Sequence, residues 1–209
     1  MEKVFWIGGG QWVGKTSVAL RLARKHSLQF YPYDYHSARG QRWRVSLQPE
    51  RYPHSSAFAR SSGDERWTFP PPELMAETAQ RIFDERFAMV LDDLEPLLVD
   101  LPFVVEGWGI RPRHVDGLVA DRRRALFMVP TDEFVEVQVT RVPRAQGLTG
   151  LELSDPQRAQ RNRLARDRLL RFDCIAEARR YGFPILTIDG SQDLDEVTSR
   201  VESHFGLGG

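Results

Sequence analysis

Close to its start the chain contains the motif Gly9-Gly10-Gln11-Trp12-Val13-Gly14-Lys15-Thr16, which carries the strongest information on its fold. It matches the pattern G-x-x-x-x-G-K-[ST] at every position. The glycines let the backbone turn so that successive N–H groups point into one concavity, at the positive end of the helix that follows. A lysine in this place can reach the β- and γ-phosphates of a nucleotide, and the threonine hydroxyl can ligate Mg²⁺. The pattern therefore predicts a loop that binds polyphosphate.

Lysine is rare in this chain, which strengthens the match. Of 29 basic residues only Lys3, Lys15 and Lys25 are lysines, and one of these three stands where the pattern requires it. The alternative is a glycine-rich turn with an incidental lysine, but a random match would arise with a probability of roughly 0.2%. We therefore predict that a nucleotide contacts the loop residues Gly9, Gly10, Gln11, Trp12, Val13, Gly14, Lys15, Thr16 and Ser17.

The residues around the loop predict alternating strands and helices. Val4–Ile7 is an apolar run typical of a buried strand, Gly14–His26 has a helical apolar face, and Leu28–Tyr31 is a second strand candidate. Strand, glycine loop, helix and strand together form a βαβ unit. Three more strands are predicted further along the chain, at 103–105, 125–129 and 185–188. We therefore expect an α/β fold, a three-layer α/β/α sandwich around a five-stranded, mostly parallel sheet.

The rest of the chain contains one segment without a clear pattern and several predicted helices. Residues 36–72 combine arginine, proline and serine without clear periodicity, so we expect an irregular segment. A helix should begin at Glu73 and continue to about Asp100, with an interruption near Pro96. Thr131 is a good N-cap for a helix that ends near Arg141. A long helix should follow from Pro156, with Ala165, Leu169, Phe172 and Ala176 facing the core, and a last helix should span 194–205.

Length and composition exclude several classes of protein. A chain of 209 residues suits a single domain, here residues 1–209, and its net charge of zero argues against a dedicated nucleic-acid binder. The single cysteine, Cys174, excludes an internal disulfide and a cysteine-based zinc site. Apolar runs are too short for a membrane span or a signal peptide. We expect a cytoplasmic protein, monomeric or homodimeric, with no membrane partner and no nucleic-acid polymer partner.

The opening residues GGGQWVGKTSVALRLARKH resemble the P-loop kinases of small molecules and nucleotides. This group includes nucleoside monophosphate kinases, shikimate and gluconate kinases and chloramphenicol phosphotransferases. The later blocks VVEG, ALFMVPT and ILTIDGS follow in the order that the group shows. The resemblance implies a P-loop NTPase fold with strand order 2-3-1-4-5. It also implies a mobile lid over ATP, here at about 141–166, and a substrate-side insertion at about 36–72.

Two acids at the ends of predicted strands are candidate site residues. Asp34 follows the second strand, where an acid in the resembling kinases contacts the acceptor hydroxyl and can take up its proton. Glu106 ends the third strand, where an acid commonly holds Mg²⁺ directly or through water. The alternatives are an Asp that caps its own turn and an acid that is solvated at a strand end. We predict Asp34 as a catalytic residue, and Thr16 with Glu106 as the metal site.

Arginines are crowded in the predicted lid. In the resembling kinases lid arginines neutralise charge on the transferred phosphoryl group, since the planar guanidinium binds two oxygens at once. Arg163 and Arg166 are three residues apart and share one face of the long helix. Together with Lys15 they are our predicted catalytic cations, although a cluster is easily found in a chain so rich in arginine.

Two functions fit these observations. The first is an ATP- and Mg²⁺-dependent kinase that transfers the γ-phosphate to a small-molecule or nucleotide acceptor. Arginines and aromatic side chains in the 36–72 segment, among them Trp43 and Trp67, suit a planar or anionic acceptor, and Trp108 can line the same cleft. The second is a nucleotide-binding regulatory module with little or no transfer activity, since a phosphate loop alone is compatible with it.

Overall fold

A five-stranded parallel sheet forms the centre of the computed structural model, which describes residues 3–97 and 101–208. Its strand order is β2-β3-β1-β4-β5, and every pair of neighbouring strands is parallel. This confirms the predicted fold class and strand order. The strands are β1 Val4–Gly9, β2 Gln29–Pro32, β3 Phe103–Glu106, β4 Ala125–Pro130 and β5 Ile185–Ile188.

Helices cover both faces of the sheet, so each strand has two apolar faces. In β1, Trp6 packs into a core with Phe87 and Cys174, while Ile7 packs on the opposite face against Leu22. Successive side chains along a strand thus pack into two different cores, as expected for a parallel sheet that is covered by helices on both faces. The helices are α1 Lys15–His26, α2 Tyr33–Ala38, α3 Gly40–Leu47, α4 Pro53–Arg60, α5 Gly63–Trp67, α6 Pro72–Leu94, α7 Pro112–Asp116, α8 Asp132–Arg141, α9 Pro143–Gln146, α10 Pro156–Tyr181 and α11 Leu194–Phe205.

The segment 36–72 is helical, which corrects the prediction of an irregular segment. It contains α3, α4 and α5 and the end of α2. Helices of five to eight residues make only one or two turns, too few to produce a recognisable period. A local signal was nevertheless present, since Ser62 and Glu65 form a capping box at the start of α5. The small helices α7 and α9 were also not predicted.

The helix α6 ends earlier than predicted. It runs to Leu94 and continues as a 3₁₀ turn over Glu95–Leu97, and the remainder of the predicted helix lies outside the described residues. The predicted cap of α8 is present, because the Thr131 hydroxyl accepts a hydrogen bond from the Phe134 N–H at 3.2 Å. α8 therefore begins directly at the carboxyl end of β4.

The face of α10 that packs on the core differs from the predicted one. Phe172 is 48% exposed and Ala176 is also exposed. The buried positions are Ala159, Arg163, Arg166, Leu170, Arg171, Cys174 and Ala178. Arginines occupy three of these positions, so the apolar pattern of the sequence points to the wrong side of the helix. This places Arg163 and Arg166 inside the molecule, with Arg163 beside Trp12 of the phosphate loop and Arg166 beside Trp67 and Trp108.

Candidate active site

The phosphate loop connects β1 to α1 and has the backbone that its glycines predict. Gly9 has a φ of 115° and Gly14 a φ of 79°, both in the region that favours glycine. Within the described residues, no side chain caps α1 and its first turn holds no acid. The N–H groups at the start of α1 are therefore available to an anion, which fits a bound phosphate.

Lys15 lies over this loop and is buried. Its Nζ donates a hydrogen bond to the Gly10 carbonyl at 2.5 Å. Burial lowers the pKa of Lys15, while the negative charges of Glu106 and Asp34 oppose that shift. The ammonium group is thus held between the loop and two carboxylates, where a phosphate would add a further counter-charge.

Thr16 and Glu106 meet on neighbouring elements. Glu106 ends β3, which pairs with β1, and the Thr16 hydroxyl donates a hydrogen bond to Glu106 Oε1 at 3.1 Å. Glu106 is 1% exposed, and burial raises its pKa to about 7. The described residues contain no cluster of three or more histidine, cysteine or acidic side chains suited to a metal. A hydroxyl and one carboxylate fit Mg²⁺, which takes its other ligands from phosphates and water.

Asp34 stands in the first turn of α2, at the carboxyl end of β2. It lines a cavity and is accessible to solvent there, although protein surrounds it closely enough for desolvation to raise its pKa. The positive charges of Lys15 and Arg144 act against this shift. The structure therefore places Asp34, Lys15 and Glu106 within one electrostatically coupled group.

The adjacent Tyr33 explains two glycines that follow β3. A Cβ at Gly107 would lie 2.4 Å from Tyr33 Cβ, and one at Gly109 would lie 2.3 Å from Tyr33 Cζ. Glycine at both positions lets the buried tyrosine pack against this turn, which fixes the start of α2 and with it Asp34.

Arg163 contacts the phosphate loop through Trp12, and the guanidinium groups of both Arg163 and Arg166 already interact with other groups of the chain. Arg163 donates from its two Nη atoms to the carbonyls of Arg144 and Gly147, at 2.9 and 3.1 Å, and its guanidinium covers the Trp12 ring at 5.1 Å. Arg166 pairs with Asp167 at 2.6 Å. Its guanidinium also lies near the rings of Trp67 and Trp108, at 4.8 and 5.0 Å. Direct contact with a phosphate would require these donors to leave their present partners.

A cavity of about 850 Å³ opens beside Asp34. Gln11 and Trp12 of the phosphate loop form part of its wall, whereas Val13 is buried in the core and Ser17 is exposed. Arg42 of the 36–72 segment and Arg144 of the predicted lid also line it. Four further lining residues were not predicted, namely Ser55, Phe58, Phe83 and Arg86. Nothing in the sequence marks them, because short helices and α6 bring them together only in the fold.

Comparisons with known proteins agree at the level of the fold. No protein-family model matches the sequence, and no curated protein matches it. Solved structures do match: shikimate kinase from Acinetobacter baumannii in complex with shikimate has 14% identity and a TM-score of 0.51, covering 100% of this chain and 96% of that one. The chain shares the fold of this kinase.

Other kinases are also similar in structure. Shikimate kinase from Aquifex aeolicus has 17% identity and a TM-score of 0.48, with 99% of each chain covered. A sugar kinase from Janibacter sp. HTCC2649 has 12% identity and a TM-score of 0.47, covering 100% of this chain and 96% of that one. The similarity to the Acinetobacter baumannii enzyme confirms the predicted resemblance at the level of the fold. No helix of the described residues has the length and apolar character to cross a membrane.

A pair of glycine substitutions tests the geometry of the P-loop. Gly9→Ala should lower the free energy of unfolding by roughly 3 kcal/mol, because its Cβ would lie 2.0 Å from the Met128 carbonyl oxygen. Gly14→Ala is the matched control: its φ is also positive, but no atom lies within 4 Å of an added Cβ, so about 1 kcal/mol is expected. Urea denaturation compares the two variants, and equal losses would contradict the assigned close approach.

Proposed function

We propose that this protein is an ATP- and Mg²⁺-dependent phosphotransferase that acts on a small-molecule or nucleotide acceptor. One observation carries the proposal. A phosphate loop lies at the edge of a cavity large enough for an acceptor, and the charges of Asp34 and Glu106 act on its buried lysine. The kinase neighbours support the reaction class through their common fold.

Each group has a role in this proposal. The N–H groups of the loop and the Lys15 ammonium bind the phosphate oxygens and hold the γ-phosphorus near the cavity. Thr16 and Glu106 hold Mg²⁺, which would neutralise charge on the phosphates. The acceptor oxygen forms a bond to the γ-phosphorus as the bond to the β,γ-bridging oxygen breaks, and ADP leaves with that electron pair. Asp34 orients the acceptor hydroxyl and accepts its proton.

The remaining parts are assigned by the same logic. We propose that residues 1–209 act as one domain, that segment 36–72 holds the acceptor, and that segment 141–166 acts as a lid. Arg144 lies beside Asp34 on the cavity wall. Arg163 holds the backbone of Arg144 and Gly147 while it covers Trp12. When the lid moves, Arg163 and Arg166 become available to the transferred phosphoryl group.

The direct test is ADP release in the presence of ATP, Mg²⁺ and a panel of hydroxylated acceptors, followed by mass spectrometry of the phosphorylated product. Acceptor-dependent ADP release that stops on chelation of Mg²⁺ is expected. Tight ATP binding with ADP release at background for every acceptor would instead favour the regulatory nucleotide-binding module.

Thr16→Val should raise the Mg²⁺ concentration needed for half-maximal turnover by about 10-fold or more, because it removes one oxygen donor and keeps the shape of the side chain. Thr140→Val is the control, since Thr140 is exposed on α8 and its hydroxyl bonds only the Val137 carbonyl among the described residues. A Mg²⁺ titration of turnover measures both. An unchanged Mg²⁺ requirement in Thr16→Val would remove Thr16 from the metal site.

A further inference from the structure

Arg86 on α6 is a buried cation with few partners. It lines the cavity and is 7% exposed. Its Nη1 donates one hydrogen bond, to the Ser37 carbonyl at 3.2 Å, and its Nε has no hydrogen-bond partner among the described residues. None of the ion pairs found in residues 3–97 and 101–208 includes Arg86. A guanidinium buried in this way is costly unless an anion balances it.

The adjacent acid, Glu85, forms no ion pair with Arg86 among the described residues, although its charge opposes the lowering of the Arg86 pKa by burial. Glu85 accepts hydrogen bonds from the backbone N–H groups of His54 and Ser55, each at 2.8 Å and each to a different carboxylate oxygen. These N–H groups belong to the first turn of α4, which Tyr52 does not cap with its side chain. Glu85 thus serves as the cap of α4. Arg42, also on the cavity wall, adds charge of the same sign near Arg86.

A second donor in the same cavity has no partner. The Ser55 side chain is 2% exposed, and its hydroxyl makes no hydrogen bond within the described part of the chain. Ser55 lies on α4 and Arg86 on α6, and both line the cavity. Two residues with unpartnered buried donors, on different helices, therefore belong to the lining of one cavity, an arrangement that suits the oxygens of an anionic group.

Aromatic rings form the neighbouring wall. Phe83 lies one turn before Arg86 on α6, and the Trp108 ring meets it edge-on with centroids 4.7 Å apart. Phe58 contributes another ring to the same cavity. Flat apolar surfaces of this kind pack against a planar group in a ligand.

We propose that the cavity selects a planar acceptor that carries a carboxylate or phosphate group, with Arg86 and Ser55 binding that anion while the acceptor hydroxyl faces Asp34. Arg86 is then the residue that determines specificity for charge. This inference rests on the proposed phosphotransferase function, but the anion site can be measured by binding alone.

Three probes test the charge preference: para-(hydroxymethyl)benzoate, para-(hydroxymethyl)phenyl phosphate and the neutral para-(hydroxymethyl)benzamide. Isothermal titration should give an affinity at least about 10-fold higher for one of the anions than for the amide, a factor worth about 1.4 kcal/mol. The better anion tells whether the site prefers carboxylate or phosphate. Equal affinities of anions and amide, or no binding of any probe, overturn the proposal.

Variants assign the preference to the named residues. Arg86→Gln should remove the preference for an anion, and Arg86→Lys should retain part of it. Ser55→Ala, which removes only one hydroxyl, should weaken anion binding several-fold. Arg81→Gln is the matched control, because Arg81 is an exposed arginine on the same helix that pairs with Glu77. A preference that persists in both Arg86→Gln and Ser55→Ala overturns the assignment.

Turnover separates this inference from the function on which it rests. An anion preference that depends on Arg86, without ADP release from ATP and Mg²⁺, would keep the anion site and reject the phosphotransferase. ADP release with equal use of the amide and both anionic probes would keep the phosphotransferase and reject the anion site.

Discussion

Replacing Lys15 with methionine is expected to reduce phosphoryl transfer by about 100- to 1,000-fold and leave the ligand-free fold intact. The ammonium group lies at the phosphate loop, where it donates to the Gly10 carbonyl. Its pKa is lowered by burial, which means that the folded chain bears a cost for holding this charge. Methionine keeps the length and apolar stem of the side chain and removes the charge. The free energy of unfolding should therefore not fall, and thermal unfolding without ligand measures it.

Lys25→Met is the control for loss of a lysine. Lys25 is exposed on α1 and pairs with Glu202 at 2.7 Å, away from the loop. Its replacement should leave turnover unchanged and cost at most about 1 kcal/mol of stability. If Lys15→Met unfolded the chain in the absence of nucleotide, Lys15 would be a structural residue, and the phosphate loop would lose the observation that supports it most directly.

The elements that could be predicted from sequence are those with a local cause. Strands covered on both faces must be apolar at nearly every position, and so Val4–Ile7 is recognisable without its neighbours. The phosphate loop is also local, because its glycines, Lys15 and Thr16 act within a few residues of each other. The strand order came from the resemblance, since no local pattern states which strands are neighbours.

The features that could not be predicted depend on distant parts of the chain. The buried face of α10 cannot be recognised from its apolar pattern, because arginines occupy several of the buried positions. Their alkyl stems and guanidinium groups find partners only in the folded molecule. Arg163, for example, is covered by Trp12, which lies far earlier in the sequence. Glu85, the acid next to Arg86, has both carboxylate oxygens bonded to a helix that begins about 30 residues earlier. The hydrophobic periodicity of the sequence contains no information on these long-range contacts.

Asp34→Asn is expected to lower kcat by about 100- to 10,000-fold while the Kd for ATP stays unchanged. Asparagine keeps the size of the side chain and can still hydrogen-bond an acceptor hydroxyl, but it cannot accept the proton. The carboxylate acts on the cavity side of the phosphate loop, where Lys15 and Arg144 are its charged neighbours. Its replacement removes a negative charge from the surroundings of the phosphates, so ATP affinity has no reason to fall. Pre-steady-state ADP release and ATP titration measure the two quantities separately.

A second substitution distinguishes proton transfer from positioning. Asp34→Ala removes both the base and the hydrogen bond, so it should raise the KM for the acceptor in addition to lowering kcat, whereas Asp34→Asn should leave that KM nearly unchanged. Asp92→Asn is the control, since Asp92 is an exposed acid on α6 whose charge lies 4.0 Å from Arg44. If Asp34→Asn weakened ATP binding as much as it slowed turnover, Asp34 would belong to the nucleotide site. Identical effects of Asn and Ala on KM and kcat would contradict the predicted difference between the two variants. The amide of Asn would then not replace the carboxylate in orienting the acceptor.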